Sequence, residues 1–278
     1  MKRQFVTLAW IAAACTYLLI VLGAVVRITG SGLGCGEHWP LCNGHLFPPL
    51  NDVPTVIEWS HRLMAFVVSA LVISLAVLDW RRAYIALGLL IVQVLLGAVT
   101  VKTELTPAVV ILHLATAMLL LGALIGTARG WAVTTDSAVP LGITFITVLF
   151  GALTANLGAT AACGGFPLCN GQVIPTAGPL AAVQWTHRVL AYALLAAVIW
   201  WVSRQPRRGA VLLAIVAVQI AIAAAMVELG FPGALQAAHA AVGAGVWATV
   251  VTTALRPAAA PVAAAAASLP DQTRPYKR

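Results

Sequence analysis

Charged residues are scarce in this chain of 278 residues: they make up 9% of it, whereas 61% are hydrophobic. Soluble domains have about 25% charged residues, so this chain has too few to cover a water-facing surface. A soluble globular protein is therefore excluded. The formal net charge of +8 therefore does not indicate a nucleic acid partner. In a membrane protein it raises the question of which side of the membrane holds the positive residues. Five cysteines are too few for a disulfide-rich scaffold.

Long apolar runs account for most of the chain. About 20 apolar residues cross a bilayer as a helix, and eight stretches are long enough. They lie near residues 5–26, 55–78, 83–101, 107–128, 139–157, 180–202, 209–228 and 233–255. These runs predict an all-α integral membrane protein with eight transmembrane helices. The first run exceeds the roughly 7–15 residues of a signal-peptide core, so we interpret it as an uncleaved helix.

Lysine and arginine are distributed unevenly over the two predicted sides. With the N-terminus inside, twelve fall on inner segments, and only Arg27 and Lys102 fall on outer segments. Cytoplasmic segments carry the excess of positive residues, so both termini are predicted to be cytoplasmic. Residues 257–278 are rich in alanine and proline and then polar, which predicts a disordered tail.

The second half of the chain repeats landmarks of the first at an offset near 126 residues. The matched positions are His61 and His187, Arg62 and Arg188, Gln93 and Gln219, His113 and His239, and the cysteine pairs Cys35/Cys42 and Cys163/Cys169. Four helices per half give both halves the same orientation, as in a parallel repeat about an axis along the membrane normal. We predict two pseudo-two-fold-related four-helix bundles, residues 1–130 and 131–256.

Four histidines lie inside the predicted spans: His61, His113, His187 and His239. Each is six to eight residues from the outer end of its span, a depth of about 10 Å. A polar group in hydrocarbon is costly and indicates a functional site. The alternative is that each histidine hydrogen-bonds a neighbouring helix, which explains a single histidine better than four paired by a repeat.

Two histidines per half are typical of haem ligation. Zinc would need a third or fourth ligand, usually cysteine or carboxylate, and the second half has no acid beside its histidines. Haem iron needs two axial ligands, and a four-helix bundle can hold a flat macrocycle. We predict one haem in each bundle. His38 and His45 fall in a loop and are interpreted as solvated.

Three arginines, Arg27, Arg62 and Arg188, lie near the outer ends of the spans. Two interpretations are open for each of them. A guanidinium group suits a carboxylate such as a haem propionate. It can equally extend to the lipid headgroups.

The two halves differ beside their histidines, because Glu58 in the first half is replaced by Gln184 in the second. Glu58 precedes His61 by three residues, which puts both on one helix face. A carboxyl group can act as a general acid or base, whereas an amide cannot move a proton. We infer that the first half holds a reacting group and the second an electron-carrying cofactor. The alternative is that Glu58 caps the second helix.

The first and third predicted outer loops each contain a cysteine pair, Cys35/Cys42 in the first and Cys163/Cys169 in the third. Disulfides persist on the oxidising side of a membrane, and flanking glycine and proline favour tight closure. Either pair can be a structural disulfide or a redox-active or haem-contacting pair. Neither forms the C-x-x-C-H motif of covalent haem attachment.

Taken together, these residues resemble the heme A synthase family, in its two-domain bacterial form with loop cysteines. The matching motifs are Arg27-Ile-Thr-Gly-Ser-Gly-Leu-Gly-Cys35, Pro40-Leu-Cys42-Asn-Gly, Glu58-x-x-His61-Arg62, His113, Pro167-Leu-Cys169-Asn-Gly, Thr186-His187-Arg188 and His239. The resemblance covers about residues 5–255, and the sequence departs from the family pattern at no key position.

The resemblance implies oxidation of one ring methyl of haem o, at C8, to the formyl group of haem a, by successive hydroxylations and loss of water. It implies that His61 and His113 hold the substrate haem and that Glu58 is catalytic. It further implies that His187 and His239 hold haem b. A disulfide between Cys35 and Cys42 would lie above the substrate, and a second, structural one would join Cys163 and Cys169.

The implied location is the bacterial inner membrane, in contact with lipid. The implied partners are the farnesyltransferase that makes haem o and the assembly factors of a terminal oxidase, together with an unidentified electron donor or acceptor. Two other functions are open from the residues. One is a di-haem, quinol-linked electron carrier, which has no use for the Glu58/Gln184 difference. The other is a haem transporter or chaperone, which would tolerate loss of Glu58.

Overall fold

Eight long α-helices make up most of the structure, a computed structural model that describes residues 2–49, 51–133 and 135–255. Their bounds are α1 Lys2–Ile28, α2 Val53–Leu78, α3 Trp80–Lys102, α4 Pro107–Arg129, α5 Ala138–Asn156, α6 Pro179–Arg204, α7 Pro206–Glu228 and α8 Gly233–Ala254. Two single 3-10 turns, Thr135–Ser137 and Ala159–Ala161, precede and follow α5. The predicted tail, residues 257–278, lies outside the described residues.

All eight helices are long and apolar enough to cross a membrane, with mean hydropathy between 1.3 and 2.7. Large apolar side chains such as Phe66, Val77 and Leu95 point outward and are exposed. An outer surface of this kind suits lipid, where each backbone group must find its hydrogen bond within the helix. The predicted all-helical membrane fold with eight spans is confirmed.

Local sequence explains where several helices begin. Proline occupies one of the first two positions of α2, α4, α6 and α7, where its missing N–H costs no hydrogen bond. Asp52 caps α2, since its carboxylate accepts from the backbone N–H of Thr55 at 3.0 Å and from its hydroxyl at 2.6 Å. These bonds, the hydroxyl one above all, lower the pKa of Asp52, because they favour its charged form.

Helix contacts follow the two halves of the sequence. In the first half α1 packs on α2 and α4, and α3 packs on the same two helices; in the second half α5 and α7 pack on α6 and α8. Contacts of α1 and α4 with α8, and of α4 with α5, join the halves. Among the described residues, the hydrogen bonds that cross this interface include Trp247 Nε1 to the Met118 carbonyl at 2.7 Å and the Tyr17 hydroxyl to the Ala241 carbonyl at 3.1 Å. These contacts are the ones expected of two four-helix bundles. The boundary between them at residue 130 stays a prediction.

The buried apolar core occupies the end of the molecule that carries the N-terminus. It is formed by the start of α1 and α3, the end of α2 and α4, and the matching parts of α6, α7 and α8. At the other end, called here the cysteine-loop end, residues 29–52 join α1 to α2 and residues 157–178 join α5 to α6. The helices are solidly packed at the first end and leave a large cavity towards the second.

Candidate haem-binding cavity

One continuous cavity of about 610 Å³ is lined by all four intramembrane histidines. His61 projects from α2, His113 from α4, His187 from α6 and His239 from α8. Glu58, Gln184, Gln93, Gln219 and the three arginines singled out in the sequence also contribute to its wall. The structure thus brings the predicted histidines, arginines and glutamate to one cavity that extends through both halves.

The second-half histidines have a separation that suits two ligands of one iron. The ring centroids of His187 and His239 are 6.4 Å apart, and the ring planes meet at 82°. For two histidines that bind one metal ion, each ring contributes a metal–nitrogen distance of about 2 Å and the distance from that nitrogen to the ring centroid. Together these distances give a separation of about 6 Å between the two centroids. The residues present therefore fit a metal held between these two rings.

Buried polar atoms without protein partners also fit a bound group. Within the described ranges, His61 Nδ1, His113 Nδ1, Gln93 Oε1 and Gln219 Oε1 have no hydrogen-bond partner. Buried polar groups are normally paired, and each exception needs an explanation. A haem that engages the imidazoles and reorients their neighbours provides one.

Three glycines lie directly against the histidine rings. A Cβ on Gly23 would be 3.1 Å from His61 Cε1, one on Gly97 would be 3.3 Å from His113 Cε1, and one on Gly151 would be 3.0 Å from His187 Cε1. These distances are shorter than ordinary carbon contacts, so a methyl group at any of the three positions would press the histidine ring out of its present place. These glycines were not predicted as part of the site, although Gly23 and Gly151 occupy matching positions of the repeat.

Glu58 and Gln184 both anchor a cysteine loop. The backbone N–H of Cys35 donates to Glu58 Oε2 at 2.8 Å, and that of Cys163 donates to Gln184 Oε1 at 2.6 Å. Both side chains are nearly fully buried. The anchoring role is therefore common to the two halves, and the charge of Glu58 is what distinguishes the first half.

Arg62 and Arg188 bind the cysteine loops, a role that their sequence positions do not predict. Arg62 pairs with Glu58 through Nε at 3.1 Å and donates from Nη1 to the His38 and Leu41 carbonyls at 2.6 and 2.7 Å. In the second half, Arg188 makes the matching contacts. Its acceptors are the carbonyl oxygens of Gly165, Leu168 and Cys163, at 2.7, 2.6 and 2.8 Å.

Arg27 differs from these two arginines. It lies in the last turn of α1 and lines the cavity, and its guanidinium group has no ion-pair or hydrogen-bond partner among the residues the structure describes. Its counterpart near the end of α5 is Ala155, four residues after Gly151, as Arg27 is four after Gly23. The first half thus has both a cation and a carboxylate that the second half lacks.

The predicted disulfides are confirmed, since Cys35 is bonded to Cys42 and Cys163 to Cys169. All four residues are at most 1% exposed. Cys15, the remaining cysteine, is free and half-buried in α1. The loop histidines, His38 and His45, are exposed.

Burial of both disulfides leads to a testable expectation. In the folded protein, a membrane-impermeant reductant followed by a thiol reagent should leave the four loop cysteines unlabelled, because the reductant cannot reach their sulfur atoms. After unfolding and reduction, mass spectrometry should show all four labelled. Labelling of native protein before reduction would reject the disulfides, and labelling after mild reduction would indicate an accessible redox pair.

The fold and cavity define a membrane protein with paired histidines and disulfide-closed loops above them. A profile of the COX15-CtaA family, described as cytochrome oxidase assembly protein, matches residues 6–251. The chain belongs to this family.

Curated relatives agree with this membership. The chain is 35% identical over 219 residues to heme A synthase of Alkalihalophilus pseudofirmus, covering 67% of this chain and 73% of the relative. It is 33% identical over 275 residues to heme A synthase of Symbiobacterium thermophilum, covering 83% and 88%. Heme A synthase of Shouchella clausii is 35% identical over 217 residues, covering 67% and 72%.

Proposed function

We propose that this protein is an oxidoreductase that converts haem o to haem a by oxidising the C8 methyl group to a formyl group. Membership of the family and the names of its relatives support this activity. One structural observation carries it: a buried carboxylate, Glu58, lies at one histidine pair, and an amide, Gln184, takes its place at the other. A carrier with two equivalent haems would not need this difference.

Haem o, the substrate, binds between His61 and His113, and haem b is the resident cofactor between His187 and His239. When bound, haem b supplies single-electron transfer. The 6.4 Å separation of the second pair supports its assignment to the cofactor. The lining of both pairs by one cavity puts the two haem sites next to each other, which supports electron exchange between the halves.

Glu58 is the catalytic residue that holds or moves a proton beside the substrate. Its Oε2 accepts from the Cys35 N–H, and its Oε1 accepts from Arg62, so the carboxylate is fixed in position. A group that is fixed before the reaction needs no reorganisation during it. Oε1 is also close to a permanent positive charge, which balances the carboxylate when it gives up its proton.

Arg27 binds a propionate of the substrate haem. It lines the cavity and has no competing acceptor in the described part of the chain, whereas the donors of Arg62 and Arg188 are used by loop carbonyls. Those two arginines contribute to both haem sites indirectly, by fixing the loops that cover them. The disulfides Cys35–Cys42 and Cys163–Cys169 act as structural closures of the same loops.

The protein lies in the cell membrane with both termini on the cytoplasmic side, as the distribution of lysine and arginine predicts. The substrate's apolar tail then enters from lipid between helices. A haem o-making farnesyltransferase supplies the substrate, and terminal oxidase assembly factors receive the product.

Expression in a host that makes haem o but not haem a tests the activity. We expect extracted membranes to contain haem a and the purified protein to contain haem b, because both groups follow from the two histidine pairs. Chromatography of the extracted haems measures them. Haem b with unconverted haem o would overturn the proposal in favour of an electron carrier, and haem o bound without haem b would favour a transporter.

A further inference from the structure

Each cysteine loop presents two large apolar side chains to the outside. In the loop between α1 and α2, Leu46 is 69% exposed and Phe47 is 73% exposed. In the loop between α5 and α6, Val173 is 66% exposed and Ile174 is 80% exposed. Both pairs follow the second cysteine of the disulfide at the same spacing, and a proline comes directly after each pair. The two halves thus share this feature at matching positions, and the two pairs are called here the apolar tips.

A tight backbone turn precedes each apolar tip and holds it in place. Cys42 and His45 exchange two backbone hydrogen bonds of 2.9 Å, and Cys169 and Gln172 exchange bonds of 3.2 and 2.9 Å. The two residues between the paired ones are asparagine and glycine in both loops, and all four have positive φ, as this hairpin turn requires. Each tip begins at the next residue, so its exposed side chains extend from an ordered turn.

The first apolar tip folds back against the lipid-facing side of α2. Trp59 Nε1 donates to the Leu46 carbonyl oxygen at 3.0 Å, and the ring centroids of Phe47 and Trp59 are 6.0 Å apart. Leu63 and Phe66 follow Trp59 at helical spacing on the same face, and both are exposed. The tip therefore continues the apolar outer surface of α2. A tryptophan at the end of such a surface is typical of the membrane interface.

The second cysteine loop lies against α6 in a comparable way. The Tyr192 hydroxyl donates to the Pro167 carbonyl oxygen at 2.7 Å, and the ring centroids of Phe166 and Tyr192 are 6.4 Å apart. Tyr192 lies in the middle of α6, so the loop is held by a side chain that starts well inside the span. Residues 157–178 include no charged side chain, and contact of this loop with lipid therefore buries no charge.

Side chains of α2 and α6 satisfy the backbone carbonyl groups of both loops. Arg62 and Arg188 donate to two and three loop carbonyls, and Trp59 and Tyr192 each donate to one more. A loop surrounded by water would not need such donors, because water would bind its carbonyl oxygens. Irregular backbone at membrane depth must find its partners within the protein. This pairing is what a loop at the lipid boundary requires.

We propose that the apolar tips are membrane anchors that contact lipid acyl chains in the leaflet at the cysteine-loop end. Exposed apolar surface marks a contact with a membrane or a protein, and the continuity of the first tip with the outer surface of α2 favours lipid. A bilayer surrounds a transmembrane protein on all sides and can accept both tips at once. The anchors hold the loops that cover the cavity, whichever haem each half binds.

Spin labels at the apolar tips test the proposal in the full-length, haem-loaded protein in vesicles of phosphatidylethanolamine and phosphatidylglycerol. Nitroxides are attached to Phe47→Cys and Ile174→Cys in a Cys15→Ser background, which removes the free cysteine. Glu104→Cys is the control, because Glu104 is exposed in the loop between α3 and α4. Oxygen dissolves in acyl chains, whereas a polar nickel(II) complex stays in water. We expect the ratio of oxygen to nickel collision rates to be several-fold higher at both tips than at the control.

The other outcomes contradict the proposal in different ways. A ratio equal to that of the control would show that the tips face water. An immobilised label with low collision rates for both reagents would show that protein covers the tip in place of lipid. A raised ratio at one tip alone would reject the anchor in the other half. If Phe47→Cys or Ile174→Cys does not fold, Leu46→Cys and Val173→Cys place a label at the same tips and give the same decision.

Discussion

Replacing Glu58 by glutamine is expected to reduce haem a formation by about a hundredfold or more while leaving haem b bound. A general acid or base contributes about 100- to 10,000-fold to a rate, and glutamine cannot perform that role. The substitution otherwise reproduces the second half, where Gln184 anchors Cys163 at 2.6 Å. Loop anchoring should survive, so the loss reports on the ionisable group and its ion pair with Arg62. Chromatography of haems extracted from the purified protein gives both quantities.

Glu104→Gln is the matched control, because Glu104 is an exposed glutamate in the loop between α3 and α4. The same change of charge there should leave the haem a yield at the parent level. A normal yield from Glu58→Gln would remove the catalytic role and reduce Glu58 to an anchor of Cys35. Loss of haem b together with haem a would show instead that the substitution disturbs the whole cavity.

The membrane helices could be predicted almost completely, because a span must be both long and apolar. The fourth span, predicted at 107–128, is observed as Pro107–Arg129. The first, predicted at 5–26, extends to Lys2–Ile28. Its extra turn consists of polar and charged residues, which hydropathy does not identify as helical. The second begins earlier than predicted because Asp52 caps it.

The histidines and cysteines of the site were also visible in the sequence. A histidine in an apolar run is conspicuous, and a repeat at a fixed offset pairs it with its counterpart. The disulfide partners are six or seven residues apart, so local sequence was sufficient to bring them together.

The roles of Arg62 and Arg188 could not be predicted in the same way. Their acceptors are backbone carbonyls 20 to 25 residues earlier in the chain, and a carbonyl oxygen leaves no trace in the side-chain pattern. Its direction depends on the loop path, including the left-handed backbone at Asn43 and Asn170. Contacts with lipid headgroups or haem propionates could be predicted because they depend on the arginine side chain alone and not on the path of a loop.

Replacing His187 by alanine is expected to remove the low-spin b-type absorption spectrum from the purified protein. Low-spin haem needs two strong axial ligands. The rings of His187 and His239 are 6.4 Å apart, and with alanine at position 187 only His239 remains as a ligand. The change should cost one haem b per protein chain or convert it to a high-spin form. Absorption spectra of the oxidised and reduced protein, with an iron count, distinguish these outcomes.

The loop histidine His38 is the matched control, since it is exposed and does not line the cavity. His38→Ala should keep the parent spectrum, and His61→Ala should keep haem b while losing haem o binding. This contrast follows from assigning the cofactor to the second half. An unchanged low-spin spectrum in His187→Ala would refute that assignment, and loss of the b-type spectrum in His61→Ala would place the cofactor in the first half, where Nδ1 of both histidines lacks a partner among the described residues.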